Sequence, residues 1–294
     1  MRKPIILASL ALAAIAGGAA AAEKPYRDMI PYIDYSNPAA SGDAKHTNTY
    51  QYWKDRDKLD PARVTSGQLN WTTNWKFMDA PYNDTLHGGY VAQDRGEELF
   101  KRLNATGAFA ACLGARNNDL KGLRLQYPQF REDMNRVVGM EAMIEQCAEK
   151  QGMKLENGSY DNSAVSIYIG AFSNGMPIKI DVSKGPLKES FEHGKELFHT
   201  RVGWTNFACA TCHVNLVGKS LRGQTPTTHF GDASHWPTYR TKDELQSLHV
   251  RFTECNRNAG TQPLKIGSQE YTDIEVFLTA LTNGYPVSLP SARD

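Results

Sequence analysis

Residues 207–213 read FACATCH, and they begin thirteen positions after the start of a second short motif, GKELF (194–198). The same pair of motifs occurs earlier in the chain in a weaker form, where GEELF (96–100) is followed at the same spacing by FAAC (109–112). Both motifs are displaced by 98 residues between the two places. Agreement in order and spacing indicates that the chain is a tandem duplication.

Three further matches follow in the same order. They are YPQFR (127–131) with WPTYR (236–240) at 109 residues, Cys147 with Cys255 at 108, and VSIYIGAFSNGMPI (165–178) with IEVFLTALTNGYPV (274–287) at 109. A single short insertion in the second half, between the second and third matches, reconciles all the offsets. The two halves are therefore expected to share one fold.

Each half opens and closes with a helical pattern. In GEELF and GKELF the Gly and the Phe are four residues apart, which places them on one face of a helix. The closing segments are apolar and run to Asn-Gly at 174–175 and 283–284. A proline lies two residues after each of these glycines, a pattern typical of a helix C-terminus. Neither half shows sustained alternation of apolar and polar residues. We predict a mainly α fold with two tandem domains, residues 91–185 and 186–294.

The N-terminus has the pattern of an export signal. Arg2 and Lys3 precede an apolar run that is too short to span a bilayer, and small residues follow as far as Ala22. The pattern predicts a cleaved signal peptide over residues 1–22 and a periplasmic location. Residues 23–90 are rich in Tyr, Trp and Pro with little periodicity, so we expect an irregular arm that wraps the first domain.

The charges of the chain are balanced, with 33 basic and 32 acidic residues. A balanced surface argues against nucleic acid or an anionic membrane as a bulk partner. No segment after the signal pattern has the roughly 18 uninterrupted apolar residues that a transmembrane helix needs.

The strongest motif is C-x-x-C-H at Cys209, Cys212 and His213, the attachment pattern of c-type haem. Two thiols add to the haem vinyl groups and the adjacent histidine becomes the proximal iron ligand. A thioredoxin-like redox pair would be expected beside a βαβ pattern, and a zinc site would need a second Cys/His pair; the sequence offers neither. We predict one covalent haem c in the second domain.

The second axial ligand of that iron is less obvious. Small cytochromes c usually supply a methionine downstream of the attachment motif, but no methionine follows Cys212. The downstream candidates are His229, His235, His249 and Cys255. A histidine remains open as an interpretation. Cys255 is favoured because it lies 42 residues after His213, and because the first half has Cys147 at the matching position without any haem motif.

Arg251 stands four residues before Cys255. If residues 249–258 are helical, the two side chains share a face. A guanidinium there favours thiolate over thiol and offers a fixed fork to a dianion such as thiosulfate. The alternative is an ordinary solvated arginine. We predict Cys255 and Arg251 as catalytic residues, with Arg251 binding substrate; Arg257 is near in sequence but off that face.

These motifs together resemble the SoxA family, the A subunits of sulfur-oxidising cytochromes. The resemblance covers nearly the whole chain after the signal pattern, and it implies an irregular arm followed by two cytochrome c-like domains, 91–185 without haem and 186–294 with covalent haem. It depends most on FACATCH, on RFTEC (251–255) and on a second domain without methionine. Because the first domain lacks an attachment motif, the chain is similar to the monohaem branch, in which a disulfide takes that place. The cysteine count alone leaves three pairings open, whereas the resemblance implies a bond between Cys112 and Cys147.

The resemblance also implies a function. It implies that Cys255 ligates the haem and carries an extra sulfur as a persulfide, and that Arg251 lines the substrate site. The implied partners are thiosulfate, a small monohaem cytochrome, SoxX, and a sulfur carrier, SoxYZ. The implied activity is that of an L-cysteine S-thiosulfotransferase, which oxidatively couples thiosulfate to a carrier cysteine. Two alternatives stay open: a periplasmic electron-transfer cytochrome, and a thiosulfate dehydrogenase that forms tetrathionate.

Overall fold

The computed structural model describes residues 87–216, 226, 229, 231–240 and 244–293. The expected signal peptide (1–22) and residues 23–86 of the expected arm (23–90) lie outside the described residues. Within the part of the chain that the structure describes, no helix is both long and apolar enough to cross a membrane.

The first half consists of helices around a small hairpin. Its helices are α1 (Gly88–Leu103), α2 (Ala108–Cys112), α3 (Met140–Glu149) and α4 (Tyr160–Ala171), with a 3₁₀ turn at Leu123–Gln126. The hairpin is formed by β1 (Gln129–Arg131) and β2 (Arg136–Val138), which are antiparallel with Phe130 opposite Val137.

The second half repeats this order. Its helices are α5 (Gly185–His199), α6 (Leu248–Asn258) and α7 (Gln269–Ala280), with a π-helical turn at Thr211–Asn215 and a 3₁₀ turn at Asp232–His235. Its strands are β3 (Thr238–Arg240), β4 (Glu244–Gln246) and β5 (Ala292–Arg293). β3 pairs antiparallel with β4 and parallel with β5. The mainly α prediction is confirmed; the strands were not predicted because two or three residues are too few to show alternation.

The helix crossing of each half depends on one glycine. A Cβ at Gly96 would overlap the carbonyl oxygen of Ala164, and a Cβ at Gly194 would overlap that of Asp273. α1 therefore packs closely on α4, and α5 packs in the same way on α7. The Gly of GEELF and of GKELF is thus the residue that allows close contact of the opening and closing helices.

The closing helices begin at equivalent serine caps. The side chain of Ser159 accepts a hydrogen bond from Asn162 N, and that of Ser268 accepts one from Tyr271 N. Such caps satisfy backbone N–H groups that a helix start leaves unpaired.

The ends of α4 and α7 differ from the prediction. The helices stop at Ala171 and Ala280, three residues before the Asn-Gly pairs. The chain leaves each helix through short turns in which a backbone N–H bonds the carbonyl three residues back, as from Asn174 N to Ala171 O. Gly175 and Gly284 follow with positive φ values of 77° and 86°. The Asn-Gly signal therefore marks the end of the turn rather than the end of the helix.

The segments after these helices exchange contacts between the halves. Asn174 binds the backbone of Leu289, accepting from its N–H at 2.8 Å and donating to its carbonyl. Asn283 binds the backbone of Ile180 in the same way, at 2.8 and 3.0 Å. Backbone bonds such as Gly175 N to Val287 O and Gly284 N to Ile178 O continue the pairing. The halves are therefore joined reciprocally, as expected for a duplicated unit.

Apolar packing forms one cluster in each half and a third that is shared. The shared cluster brings Ala92, Ala164 and Ile167 together with Leu245, Val287 and Leu289. Arg124 also crosses the junction, pairing with Glu141 at 3.3 Å and donating to Trp236 O at 3.0 Å. The two halves consequently pack directly against each other.

Candidate functional site

Helix α6 carries Cys255, and it includes the whole of residues 249–258. Ser247 caps its start by accepting a hydrogen bond from Val250 N at 3.3 Å. Leu248 and Phe252 are buried and anchor the helix in the second-half core. The helix expected from the sequence is therefore present, and Arg251 and Cys255 lie on one face of it.

The attachment motif lies in a tight turn that faces α6. Thr211 N donates to Ala208 O, and Ala208 N donates to the Thr211 hydroxyl, both at 3.0 Å. The π-helical turn begins at Thr211, so Cys212 and His213 lie within it while Cys209 lies two residues before it. Ala208 and Ala210 are buried in the second-half core, which orients the intervening cysteine toward the site.

Cys255 lies close to His213. The imidazole is near enough to act on the thiol as a hydrogen-bonding group. Burial by itself would raise the pKa of the Cys255 thiol, but the Arg251 charge and the His213 hydrogen bond together lower that pKa below its usual value. The structure therefore brings the expected proximal histidine and the favoured distal cysteine face to face.

The two attachment cysteines both lie close enough to Cys255 for its charge to change their pKa. Burial, followed by the proximity of Cys255 and Cys212, raises the pKa of Cys209 to about 12. Burial and then the proximity of Cys255 also raise the pKa of Cys212. Three sulfurs and one imidazole thus converge, and none of the three cysteines is in a disulfide.

Arg251 is held between the sulfur site and two carboxylates. The negative charge of Cys255 raises the pKa of Arg251, and Glu254 and Asp232 act in the same direction against burial. Arg251 Nη1 donates to Glu254 Oε2 at 2.5 Å. The interpretation of Arg251 as an ordinary solvated residue does not fit this setting. The pairing of Glu254 with Arg251 was not predicted, although opposite charges three residues apart on a helix are a recognisable pairing signal.

The three histidines that competed with Cys255 lie elsewhere. His229 is buried, with Nδ1 2.9 Å from the backbone oxygen of His213 and its ring beside Phe198. In His249, Nδ1 accepts from Gly267 N at 3.1 Å and Nε2 lies 3.1 Å from the Glu275 carboxylate.

His235 is also buried, with its Nε2 3.7 Å from Asp232 Oδ1 and its ring beside Trp236. Cys255 is therefore the candidate whose side chain lies near that of His213, close enough for His213 to lower its pKa.

The first half contains a disulfide where the second half has its thiols. Cys112, at the end of α2, is bonded to Cys147 in α3, with their Cα atoms 5.8 Å apart. This is the pairing that the family resemblance implies. It leaves Cys209, Cys212 and Cys255 as the free cysteines of the described residues.

Sequence comparison finds relatives over most of the chain. It is 32% identical over 232 residues to the L-cysteine S-thiosulfotransferase subunit SoxA of Pseudaminobacter salicylatoxidans, which covers 75% of this chain and 80% of the relative. It is 31% identical over 223 residues to the subunit of the same name from Chlorobaculum thiosulfatiphilum, covering 74% of each chain.

Structural comparison finds the same architecture. The chain is similar to one in the crystal structure of SoxXA from P. pantotrophus, with a TM-score of 0.64 and 26% sequence identity. The match covers 72% of this chain and 81% of the other.

The family model described as SoxA/TsdA, cytochrome c domain, matches residues 95–178 and 193–287, so it falls once on each half. A cytochrome c domain implies a haem c cofactor. The convergence of two attachment thiols with His213 and Cys255 fits that cofactor, because two thiols could form its covalent attachment and an imidazole and a third sulfur could ligate its iron. The chain therefore belongs to the SoxA/TsdA cytochrome c domain family.

Proposed function

We propose that this chain is the haem-bearing subunit of a heterodimeric periplasmic cytochrome that oxidatively couples thiosulfate to a cysteine of a sulfur carrier protein. The names of its relatives, L-cysteine S-thiosulfotransferase subunit SoxA, support this activity. The similarity to a chain of SoxXA supports a SoxX-type cytochrome as the second subunit. The carrier is of the SoxYZ type.

The boundary between the two domains lies between residues 185 and 186, at the beginning of α5.

One observation carries the proposal. Cys255 lies within the electrostatic reach of His213 and stands one helical turn from Arg251, so a sulfur, the histidine of the attachment motif and an anion-binding cation share one site. A simple electron carrier has no need of a fixed cation beside its second axial donor. A sulfur-transfer enzyme needs a polarised sulfur and a binding group for an anionic substrate together.

Residues of the second half alone would hold the haem. Cys209 and Cys212 would form its two thioether bonds, and His213 and Cys255 would ligate its iron. When bound, the single haem c supplies an iron that anchors the Cys255 sulfur and gives electrons a route through the domain. The disulfide between Cys112 and Cys147 takes the corresponding place in the first half, which binds no haem.

Arg251 binds thiosulfate and Glu254 positions it. The guanidinium has five N–H donors in a fixed fork, and Nη1 donates to the Glu254 carboxylate at 2.5 Å. This contact restricts the rotation of the long arginine side chain. A fixed fork beside Cys255 directs the sulfonate end of thiosulfate to Arg251 and its outer sulfur toward the reacting sulfur.

The reaction joins two sulfurs and releases two electrons. The carrier thiol and thiosulfate give a cysteine S-thiosulfonate, a proton and two electrons, with a new S–S bond between the carrier sulfur and the outer sulfur of thiosulfate. When Cys255 carries an extra sulfur as a persulfide, the thiosulfonate forms first on it. Transfer to the carrier then proceeds as thiol–disulfide exchange, in which the carrier thiolate attacks the outer sulfur of the bound thiosulfate and the Cys255 persulfide leaves. The two electrons pass to the partner cytochrome.

Product analysis tests the proposal. The heterodimer is incubated with thiosulfate, the carrier and an oxidised cytochrome c, and intact mass spectrometry follows the carrier. We expect the carrier to gain one thiosulfate group as two electrons reduce the cytochrome. Formation of free tetrathionate would favour a thiosulfate dehydrogenase, and absence of any coupled product would leave an electron carrier.

A substitution tests the assigned role of Arg251. We expect Arg251→Ala to lower kcat/KM for thiosulfate between about tenfold and a hundredfold, since hydrogen bonds to charged groups contribute about 1.5–3 kcal/mol. Arg102→Ala, which removes an exposed arginine on α1, is the matched control, and it should leave kcat/KM for thiosulfate unchanged. Equal activity of the Arg251→Ala protein and the wild type would contradict the assignment.

A further inference from the structure

A large cleft separates the two halves on the side of α6 that faces away from the sulfur site. Its volume is about 1260 Å³. One wall comes from the first half, between Arg136 and Asn157, and the other from the loop 260–268 with Trp204. Nothing in the proposed reaction uses this cleft.

The cleft is distinct from the sulfur site because of the geometry of α6. Thr253 and Arg257 line the cleft. Each is two residues from Cys255, which on an α-helix is a rotation of roughly 200°. The sulfur and the cleft therefore lie on opposite sides of one helix, about 10 Å apart, which is the diameter of a helix with its side chains.

The charge of the cleft selects an anion. Its charged lining residues in the described part of the chain are Arg136, Lys154, Arg257, Lys265, Glu145 and Glu156. Glu156 is paired with Lys154 at 2.5 Å. Neither Arg257 nor Lys265 forms an ion pair with any carboxylate of the described residues; Arg257 donates only to the Thr253 hydroxyl, at 3.4 Å. With four cationic and two acidic side chains, the cleft has an excess of positive charge, which favours a ligand with negative charge.

The rim of the cleft is apolar and exposed. Trp204 is 84% exposed and Leu264 is 41% exposed, although large apolar side chains are usually covered. The Trp204 indole lies against Gly260, where any Cβ would overlap it, so the ring is supported from behind and open in front. Tryptophan and arginine are the residue types that most often dominate binding energy at protein interfaces.

The dimensions of the cleft indicate a polypeptide segment rather than a small molecule. Small-molecule sites usually enclose about 300–1,000 Å³. A permanent subunit, in contrast, covers a broad surface of about 1,600 Å² or more rather than filling a cleft. A short segment bound in this cleft gives a weak contact, which suits a partner that must leave after each turnover.

We propose that the cleft is a docking site for an acidic segment with an apolar side chain on the sulfur carrier protein. The segment's carboxylates bind Arg257 and Lys265, and its apolar side chain packs on Trp204. Docking there holds the carrier one helix diameter from Cys255, so that its reactive cysteine can reach the sulfur site around α6. The inference rests on the proposed function, since it assigns the partner of the same reaction.

Charge reversal tests this docking site. Binding of the purified carrier to the full heterodimer is measured by calorimetry without thiosulfate, and kcat and KM for the carrier are measured separately. We expect Lys265→Glu to weaken carrier binding about tenfold, because reversing a charge at a rim turns attraction into repulsion. The loss should appear in KM for the carrier rather than in kcat. Trp204→Ala should weaken binding as well, and added salt should reduce the wild-type affinity.

Matched variants separate this effect from a general change in charge or apolar surface. Lys188→Glu makes the same charge change at an exposed position of α5, and Phe172→Ala removes an exposed aromatic of the first half. Both should bind the carrier as the wild type does. Equal binding by the Lys265→Glu and Lys188→Glu proteins would overturn the docking site.

Two other outcomes distinguish this inference from the proposed function. Weaker association of the partner cytochrome, with carrier binding unchanged, would assign the cleft to that subunit and overturn the inference. A wild-type heterodimer that binds the carrier but transfers no thiosulfate would contradict the proposed function, while a selective loss of binding in Lys265→Glu would still support the docking site.

Discussion

In the first half, Cys147 on α3 is bonded to Cys112, whereas in the second half the matching Cys255 on α6 stays unbonded and faces His213. The surrounding scaffold is the same in both halves, with equivalent helix crossings, serine caps and hairpins. A disulfide draws α2 and α3 to a Cα separation of 5.8 Å and closes the first-half site. One scaffold can therefore hold its cysteine pair either as a structural link or as donors to a cofactor.

The polar groups beside these cysteines differ in the same way. In the first half, Ser166 donates to Glu141 at 2.7 Å between α4 and α3. The matching positions of the second half hold Glu275 and His249, with carboxylate and imidazole 3.1 Å apart. Equivalent positions therefore keep a buried polar contact while its chemistry changes.

The largest expected effect comes from removing the second-half sulfur. We expect Cys255→Ser to reduce thiosulfate transfer by about 10⁴-fold, the scale seen when a catalytic nucleophile is lost. Haem attachment should persist, because Cys209 and Cys212 are untouched. Steady-state transfer assays and the covalent haem content are the measurements. Full activity in this variant would contradict the role of Cys255.

Removing the first-half sulfurs should affect stability instead. We expect the Cys112→Ala/Cys147→Ala protein to lose about 4 kcal/mol of unfolding free energy, the loop-closure value for a bond spanning 35 residues. Transfer activity should stay within about twofold of the wild type, because the bond lies outside the sulfur site. Denaturant unfolding and the same transfer assay check both statements. A loss of activity without a loss of stability would reverse the comparison.

The two helix crossings should respond alike. Gly96→Ala and Gly194→Ala each force a Cβ into a backbone carbonyl, so we expect each to lower the unfolding free energy by about 2–3 kcal/mol. Gly152→Ala is the control, since its φ is 74° but nothing lies within 4 Å of the added Cβ; it should cost only about 1 kcal/mol. Denaturant unfolding measures all three. A tolerated Gly96→Ala would mean that the first-half crossing is looser than the second.

The smallest expected effect lies at one crossing only. Asp273 is buried on α7, accepting a hydrogen bond from Ser190, lying 2.6 Å from His193 Nδ1 and accepting from Gln269 at 2.7 Å. The matching first-half crossing has Ala92 and Ala164 instead. We expect Ser190→Ala to cost about 1 kcal/mol, because Asp273 keeps its other partners.

Ser163→Ala is the control for that loss. Ser163 is also buried, but its hydroxyl has no hydrogen-bond partner within the described residues, so its removal should leave the unfolding free energy unchanged. Thermal unfolding compares the two variants. Equal losses would show that the hydrogen bond to Asp273 contributes nothing specific.

The sequence predicted the scaffold well because repetition repeats the same physical constraints. Matching Gly, Phe and Asn-Gly positions required the same crossing and the same exit from a helix in each half. Helix ends and strands were predicted less well. The Asn-Gly pairs end a turn three residues beyond the helix, and the strands are too short for alternation to show.

The haem attachment motif, the absence of a downstream methionine and the spacing of Arg251 from Cys255 can be read from the amino-acid order alone, because each is a local or compositional feature. The proximity of Cys255 to His213 could not be read in this way, since it requires α6 to pack against the π-helical turn. It alone revealed the reciprocal contacts of Asn174 and Asn283 and the cleft between the halves. These features join residues about a hundred positions apart, and contacts of that kind exist only once the two halves have packed together.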